Sequence, residues 1–241
     1  MPRMYRYQIA MNITVFHGSP RKGNTYRATK IFMDELQKCG EIQYTEFFFP
    51  EALPEFCTGC QLCFSNSFEV CPHSQYVSPI LKAIICADAL IFATPHFGAC
   101  SMTAGMKTLL DHLDFLTMNI APRAELFSKK AFIITTGSGS TVAAKPIKSY
   151  LRNWGINRVR SLGLRMFTDK WNKMSSTKQH KIENRLQRAA YHFYNTPKRS
   201  PYISTIFMYH MAKYVLKKYV GKDAYPYKYW EKKGYFKKRP F

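Results

Sequence analysis

At 241 residues with 46% of positions apolar, the chain can bury one full core, and its size favours one domain with appendages over two equal domains. The first ten residues carry charges and no long apolar stretch, and no run approaches the ~18 apolar residues of a spanning helix. The expectation is a soluble, cytoplasmic protein. The formal charge of +21 is uneven, with 12 Lys/Arg against 2 Asp/Glu over residues 195–241.

In chain order, Asn12-Ile13-Thr14-Val15-Phe16 is a short β-branched run that reads as a buried strand. A glycine-bearing loop follows, then Ala28, Ile31, Phe32, Leu36 and Cys39 at helical spacing, closed by Gly40. The alternation continues with a strand over 42–48, a helix over 79–86 and a strand over 87–94. Met102, Met106, Leu109, Leu110, Leu113 and Leu116 form one helical stripe, with Lys107 and Asp111 on its opposite face. A strand over 131–136, a helix over 141–154, a strand over 158–166 and a stripe of Ile182, Leu186, Ala190 and Phe193 complete the series. Five alternating βα units joined by short connections demand parallel strands and right-handed crossovers. The fold class is therefore α/β, a flavodoxin-like doubly wound five-stranded parallel sheet. Residues 1–195 form this domain, with an insertion over 50–75, and 196–241 form a C-terminal extension.

Ligands of such sheets bind outside the carboxyl ends of the strands. After the first strand, Ser19, Arg21, Gly23, Asn24 and Thr25 lead directly into a helix. Free helix N–H groups, hydroxyls and an arginine suit an anion, above all a terminal phosphate. An ordinary strand-to-helix turn with an Asn or Thr cap would use similar residues. The loop is neither a Walker A sequence nor the three-glycine dinucleotide fingerprint.

The run Gly18-Ser19-Pro20-Arg21-Lys22-Gly23-Asn24-Thr25 resembles the phosphate loop of the NADPH-dependent FMN reductase and iron-sulfur flavoprotein family. Thr94-Pro95-His96-Phe97-Gly98, then Met102 to Lys107 and Asp111, resembles that family's second flavin loop and the helix behind it. The run from Thr135 through Thr136, Gly137 and Ser138 to Ser140 stands where its third flavin loop lies. The resemblance covers about residues 12–195, with a first loop one residue shorter than the family's. It implies FMN held by Ser19, Arg21, Gly23, Asn24 and Thr25 at the phosphate and framed by Pro95, His96, Phe97, Gly98, Thr136, Gly137 and Ser138 at the ring. It further implies NAD(P)H as hydride donor, a small-molecule or protein acceptor, and a homo-oligomer. No side chain is required as a catalytic nucleophile. A non-enzymatic flavodoxin-like electron carrier is the alternative.

Cys57, Cys60, Cys63 and Cys71 form a C-x2-C-x2-C-x7-C run before Pro72. Four clustered thiols among seven cysteines in a cytoplasmic chain point to metal or redox chemistry rather than disulfides. This spacing suits a [4Fe-4S] cluster and resembles the motif of iron-sulfur flavoproteins; structural zinc, a redox thiol pair or a metal-free loop remain open. Cys39 and Cys86 lie on helical apolar faces as small core residues, and Cys100 has no assigned role.

In the extension, Ile203, Phe207, Met211, Tyr214 and Val215 keep helical spacing with Lys213, Lys217 and Lys218 among them. Packing on the parent domain or on a dimer mate is the simplest use of this helix. An acidic redox partner, an anionic membrane surface or weak nucleic-acid binding are the others, and no specific nucleic-acid motif accompanies the lysines.

Overall fold

The computed structural model describes residues 10–98, 101–197 and 201–241. Its elements begin with β1 (Met11–His17), α1 (Asn24–Gln37), β2 (Ile42–Phe48), α2 (Leu62–Ser65), α3 (Ser74–Cys86), β3 (Ala89–Pro95) and α4 (Ala104–His112). They continue with β4 (Lys130–Thr136), α5 (Ser140–Asn153), β5 (Arg158–Leu164), α6 (Ser176–Tyr194), α7 (Ile203–Tyr219) and α8 (Tyr225–Lys232).

All strand pairs are parallel, in the order β2-β1-β3-β4-β5. From β1 the chain moves out to β2 and then crosses back to place β3 on the other side, so the strand order reverses at β1. That reversal opens a crevice above the carboxyl ends of β1 and β3, the usual ligand position of open α/β sheets.

Successive strand residues point to opposite faces, and the two buried clusters divide accordingly. Ile13, Val15, Ala89, Ile91, Phe132 and Ile134 pack with Phe32 and Leu36 of α1 and Leu186 and Phe193 of α6. Phe16, Leu90, Phe92, Ala131 and Ile133 face the other way, onto Ile80 and Ile84 of α3, Met106 and Leu109 of α4, and Ile147 and Leu151 of α5. The five strands read from the sequence are therefore all present, with small boundary differences. The stripe over 102–116 does not stay one helix: α4 ends at His112 and a separate 3-10 turn covers Asp114–Leu116. The third helix begins at Ser74, so Pro79 lies inside it rather than at its start.

The extension packs on the second of these cores. Asn157, buried just before β5, donates from Nδ2 to the Phe127 and Gly155 carbonyls, while its Oδ1 accepts from Tyr202 N at 3.1 Å and Thr205 Oγ1 at 2.6 Å. The start of α7 is thereby fixed. Tyr209 stacks on Trp230 with centroids 5.5 Å apart, and its hydroxyl donates to the Tyr235 carbonyl at 2.7 Å. Trp230 is fully buried, and losing such a side chain costs about 3–5 kcal/mol.

Apart from half-buried Val215, the apolar stripe read from the sequence is the outward face of this helix. Ile203 is 86% exposed and Phe207 64%, with Met211 and Tyr214 also exposed, whereas Thr205, Tyr209, Ala212 and Leu216 face inward. Asn157 and the Tyr235 carbonyl satisfy the inward hydroxyls, so a polar-edged face can be buried. Among the described residues no helix is long and apolar enough to cross a membrane.

Candidate functional site

The loops after β1, β3, β4 and β5 surround one cavity of about 580 Å³. Ser19, Arg21, Gly23, Asn24, Thr25, Pro95, His96, Thr136 and Gly137 line it, which brings nine of the twelve residues expected at the flavin together. Phe97 and Gly98 are exposed on the adjoining loop, and Ser138 is exposed beside the third loop. Phe97 lines a neighbouring cavity instead, and Ser138 lines neither of the two.

The anion character of the site starts with α1. Its cap residue, Gly23, offers no side-chain hydrogen bond, and no acidic residue stands in its first turn. The first N–H groups of a helix have no partner within the helix, so here they point into the cavity together with the positive end of the dipole. Arg21 and Lys22, both exposed, and Lys170 add cationic charge to the lining. Lys22 also lies 5.7 Å from the centroid of the Tyr26 ring and 5.6 Å from that of Phe48.

Two expected phosphate donors are already engaged. Thr25 Oγ1 meets Thr136 Oγ1 at 2.6 Å and is buried, joining the first and third loops. Asn24 Nδ2 donates to the Thr168 carbonyl at 2.8 Å, which ties the loop after β5 to the first. The side-chain Oδ1 of Asn24 and Nε2 of His96 are buried with no protein partner. Buried polar atoms are normally satisfied, and both belong to residues lining this cavity.

The backbone N–H of His96 donates to the Thr136 carbonyl at 2.7 Å, so the second loop is held against the third. Gly137 has φ +112°, which a side chain rarely tolerates, and a Cβ at Gly139 would stand 2.5 Å from His96 Nε2. The imidazole occupies space that only these glycines leave. An uncapped helix start, an arginine, and two unpartnered polar atoms across the cavity fit a phosphorylated flavin: anion at one end, hydrogen-bonding ring edges at the other.

A second cavity of about 580 Å³ shares Ser19, Arg21 and Pro95 with the first and is walled by Phe49, Pro50, Leu53, Phe56, Phe97 and Thr108. Its walls suit a flat apolar group. Thr103 links it to the first loop, its hydroxyl donating to the Gly18 carbonyl and meeting Thr94 Oγ1 at 3.2 Å. Thr103 lies in the run that resembles the second flavin loop and its helix but had no role of its own, and Thr168 and Lys170 were missed. The position of 168–170 beyond the carboxyl end of the fifth strand was the available sign.

The cysteine run is placed differently from its expectation. Cys57 and Cys60 are exposed, whereas Cys63 and Cys71 are partly buried. Burial pushes the Cys63 thiol up to about 11, with Cys71, Cys57 and Cys60 acting in the same direction. Tetrahedral zinc with Zn–S near 2.3 Å needs sulfurs about 3.8 Å apart; among the described residues the close set of metal-ligating atoms contains only Cys71 of the four, with His73 and His112. The placement lends a [4Fe-4S] cluster no support. Cys39 is partly buried, but Cys86 is exposed rather than core, and Cys100 lies outside the described residues.

The family profile described as NADPH-dependent FMN reductase matches residues 11–165. No curated protein matches the chain. Among solved structures, an NAD(P)H:quinone oxidoreductase from Methanothermobacter marburgensis superposes with a TM-score of 0.62 at 16% identity, covering 78% of this chain and 100% of its own. An NADH:FMN oxidoreductase in its apo form gives 0.54 at 18%, covering 80% and 95%. An FMN-dependent NADH-azoreductase from Bacillus anthracis str. Ames Ancestor, in complex with FMN, gives 0.56 at 12%, covering 78% and 100%. At these identities the structures establish the shared fold. The matched span contains all five strands and the first three cavity loops, and the chain belongs to the NADPH-dependent FMN reductase family of NAD(P)H-dependent flavin oxidoreductases.

Proposed function

We propose that this chain binds FMN in the cavity above β1, β3 and β4 and uses it to pass electrons from NAD(P)H to a small-molecule or protein acceptor. The observation that carries the reading is the convergence, in one cavity, of the uncapped α1 start, Arg21, and the unpartnered Asn24 Oδ1 and His96 Nε2. When bound, FMN would supply the redox chemistry between the nicotinamide and the acceptor.

The chain's own residues bind and orient. Ser19, Arg21 and the amides of Gly23, Asn24 and Thr25 hold the phosphate, and Asn24 Oδ1 accepts from a hydroxyl of the sugar chain. Pro95, His96, Phe97 and Gly98 of one loop and Thr136, Gly137 and Ser138 of another frame the ring. No side chain serves as nucleophile. The chain further self-associates, a reading supported by the exposed apolar face of α7.

Comparing FMN with riboflavin, which lacks the phosphate, tests the assignment. Arg21→Ala should weaken FMN about 10- to 100-fold, the loss of one charge-assisted hydrogen-bonding group, and leave riboflavin affinity unchanged in a fluorescence titration. Equal weakening of both flavins, or of neither, would remove the phosphate from this loop.

A further inference from the structure

The insertion between β2 and α3 meets the end of α4 at a cluster outside the flavin cavity. The ligand atoms of Cys71, His73 and His112 all lie within 4.8 Å of one another. His73 Nδ1 and His112 Nε2 are 2.8 Å apart. His112 Nδ1 is 2.9 Å from the Thr108 carbonyl, so Nδ1 carries the hydrogen and donates it to that oxygen. In the neutral ring the lone pair therefore sits on Nε2, aimed at His73 and Cys71. A backbone carbonyl fixing the tautomer of an imidazole whose other nitrogen faces a thiol and a second imidazole is the arrangement common to metal-ligating histidines.

We propose that Cys71, His73 and His112 form a site for one zinc-class divalent cation. One thiolate and two imidazoles are a donor set that selects zinc over hard cations. With Zn–N near 2.0–2.1 Å and Zn–S near 2.3 Å, tetrahedral coordination needs nitrogens about 3.3 Å apart. The two rings must separate by about half an ångström from their present contact, a shift that half-buried His73 can make at the start of α3. On binding, the Cys71 thiol releases its proton to solvent, and the His73 proton moves from Nδ1 to Nε2, leaving both donor atoms with free lone pairs. Three protein ligands leave the fourth position open.

The site differs from a four-thiolate centre, sharing only Cys71 with the cysteine run. It would also have a structural consequence. Phe49 to Phe56, at the entry to the insertion, and Thr103 to Thr108 at α4 both line the apolar cavity. A cation held by Cys71 and His73 on one side and His112 on the other would tie the end of the insertion to the end of α4.

The test titrates cobalt(II) chloride into the reduced, chelator-treated full-length protein. The expected result is one cobalt per chain, with a thiolate-to-cobalt charge-transfer band and the intense visible bands of a tetrahedral site, displaced by zinc. Saturating zinc should raise the melting temperature by about 5 °C or more. Cys71→Ser should abolish the charge-transfer band and His112→Gln should weaken cobalt at least about tenfold, while Cys60→Ser changes neither. If His112→Gln fails to fold, His73→Ala, at a half-buried position, should weaken cobalt by a similar factor. The proposal is overturned if cobalt does not bind, which leaves a plain His73–His112 hydrogen bond. It is equally overturned if the band survives Cys71→Ser, or if Cys60→Ser removes it, the mark of a four-thiolate centre.

Discussion

His17 ends β1 directly before the first cavity loop, with its imidazole stacked flat on Phe48 at 4.3 Å between centroids and its Nε2 donating to the Glu46 carboxylate at 2.8 Å. Burial, the largest influence, holds its pKa below the ordinary histidine value; Glu46 opposes this, and Lys30 and Lys22 add to it. A histidine neutral in the fold binds its proton more readily when unfolded, so its contribution to stability is complete above the unfolded pKa of about 6.5. That contribution is lost as pH falls toward the depressed folded value. Urea unfolding between pH 7 and pH 5 should show stability declining, and His17→Gln should flatten the decline; an unchanged slope would assign the acid sensitivity elsewhere.

The same scale separates what was legible from what was not. That Ser19, Arg21, Asn24 and Thr25 line one cavity was readable because they stand a few residues apart with a helix immediately behind. The partnership of Thr25 with Thr136, 111 positions away, and that of His73 with His112, 39 positions away, come from chain crossings that no local spacing encodes. The cysteine run shows the opposite limit: its spacing is compact, but exposure and placement, which spacing does not report, set Cys71 apart from Cys57 and Cys60.

Among the elements, α7 departs most from its sequence pattern. Apolar groups occupy both of its faces, so period alone cannot say which face turns inward. The choice falls to partners far along the chain: Asn157 receives Thr205, and the Tyr235 carbonyl receives the Tyr209 hydroxyl. Ile203, Phe207, Met211 and Tyr214 are left outward as one contiguous stripe. Contiguous exposed apolar surface of this kind marks an interaction site. Phe207→Asp should convert an oligomer to monomer in sedimentation velocity while leaving the circular dichroism spectrum intact. A wild-type chain that sediments as a monomer would contradict self-association through α7.

For the whole molecule, five βα repeats dictate the doubly wound sheet, and the reversal of strand order at β1 dictates where the ligand crevice opens. That much is written in the alternation of apolar periods. The packing of α7 and α8 over the sheet is not, because aromatic and hydroxyl contacts from distant positions decide it. The sheet brings the first, second and third loops to one cavity, and the loop after β5 closes its side. The proposed activity requires that cavity to be the seat of an NAD(P)H-reducible FMN. The direct measurement is anaerobic titration of the FMN-loaded protein with NADPH and NADH, followed by visible absorbance. Loss of the flavin bands with stoichiometric nicotinamide, and sustained NAD(P)H oxidation once an electron acceptor is added, is the predicted result. Flavin that binds but is bleached by neither nucleotide would contradict it.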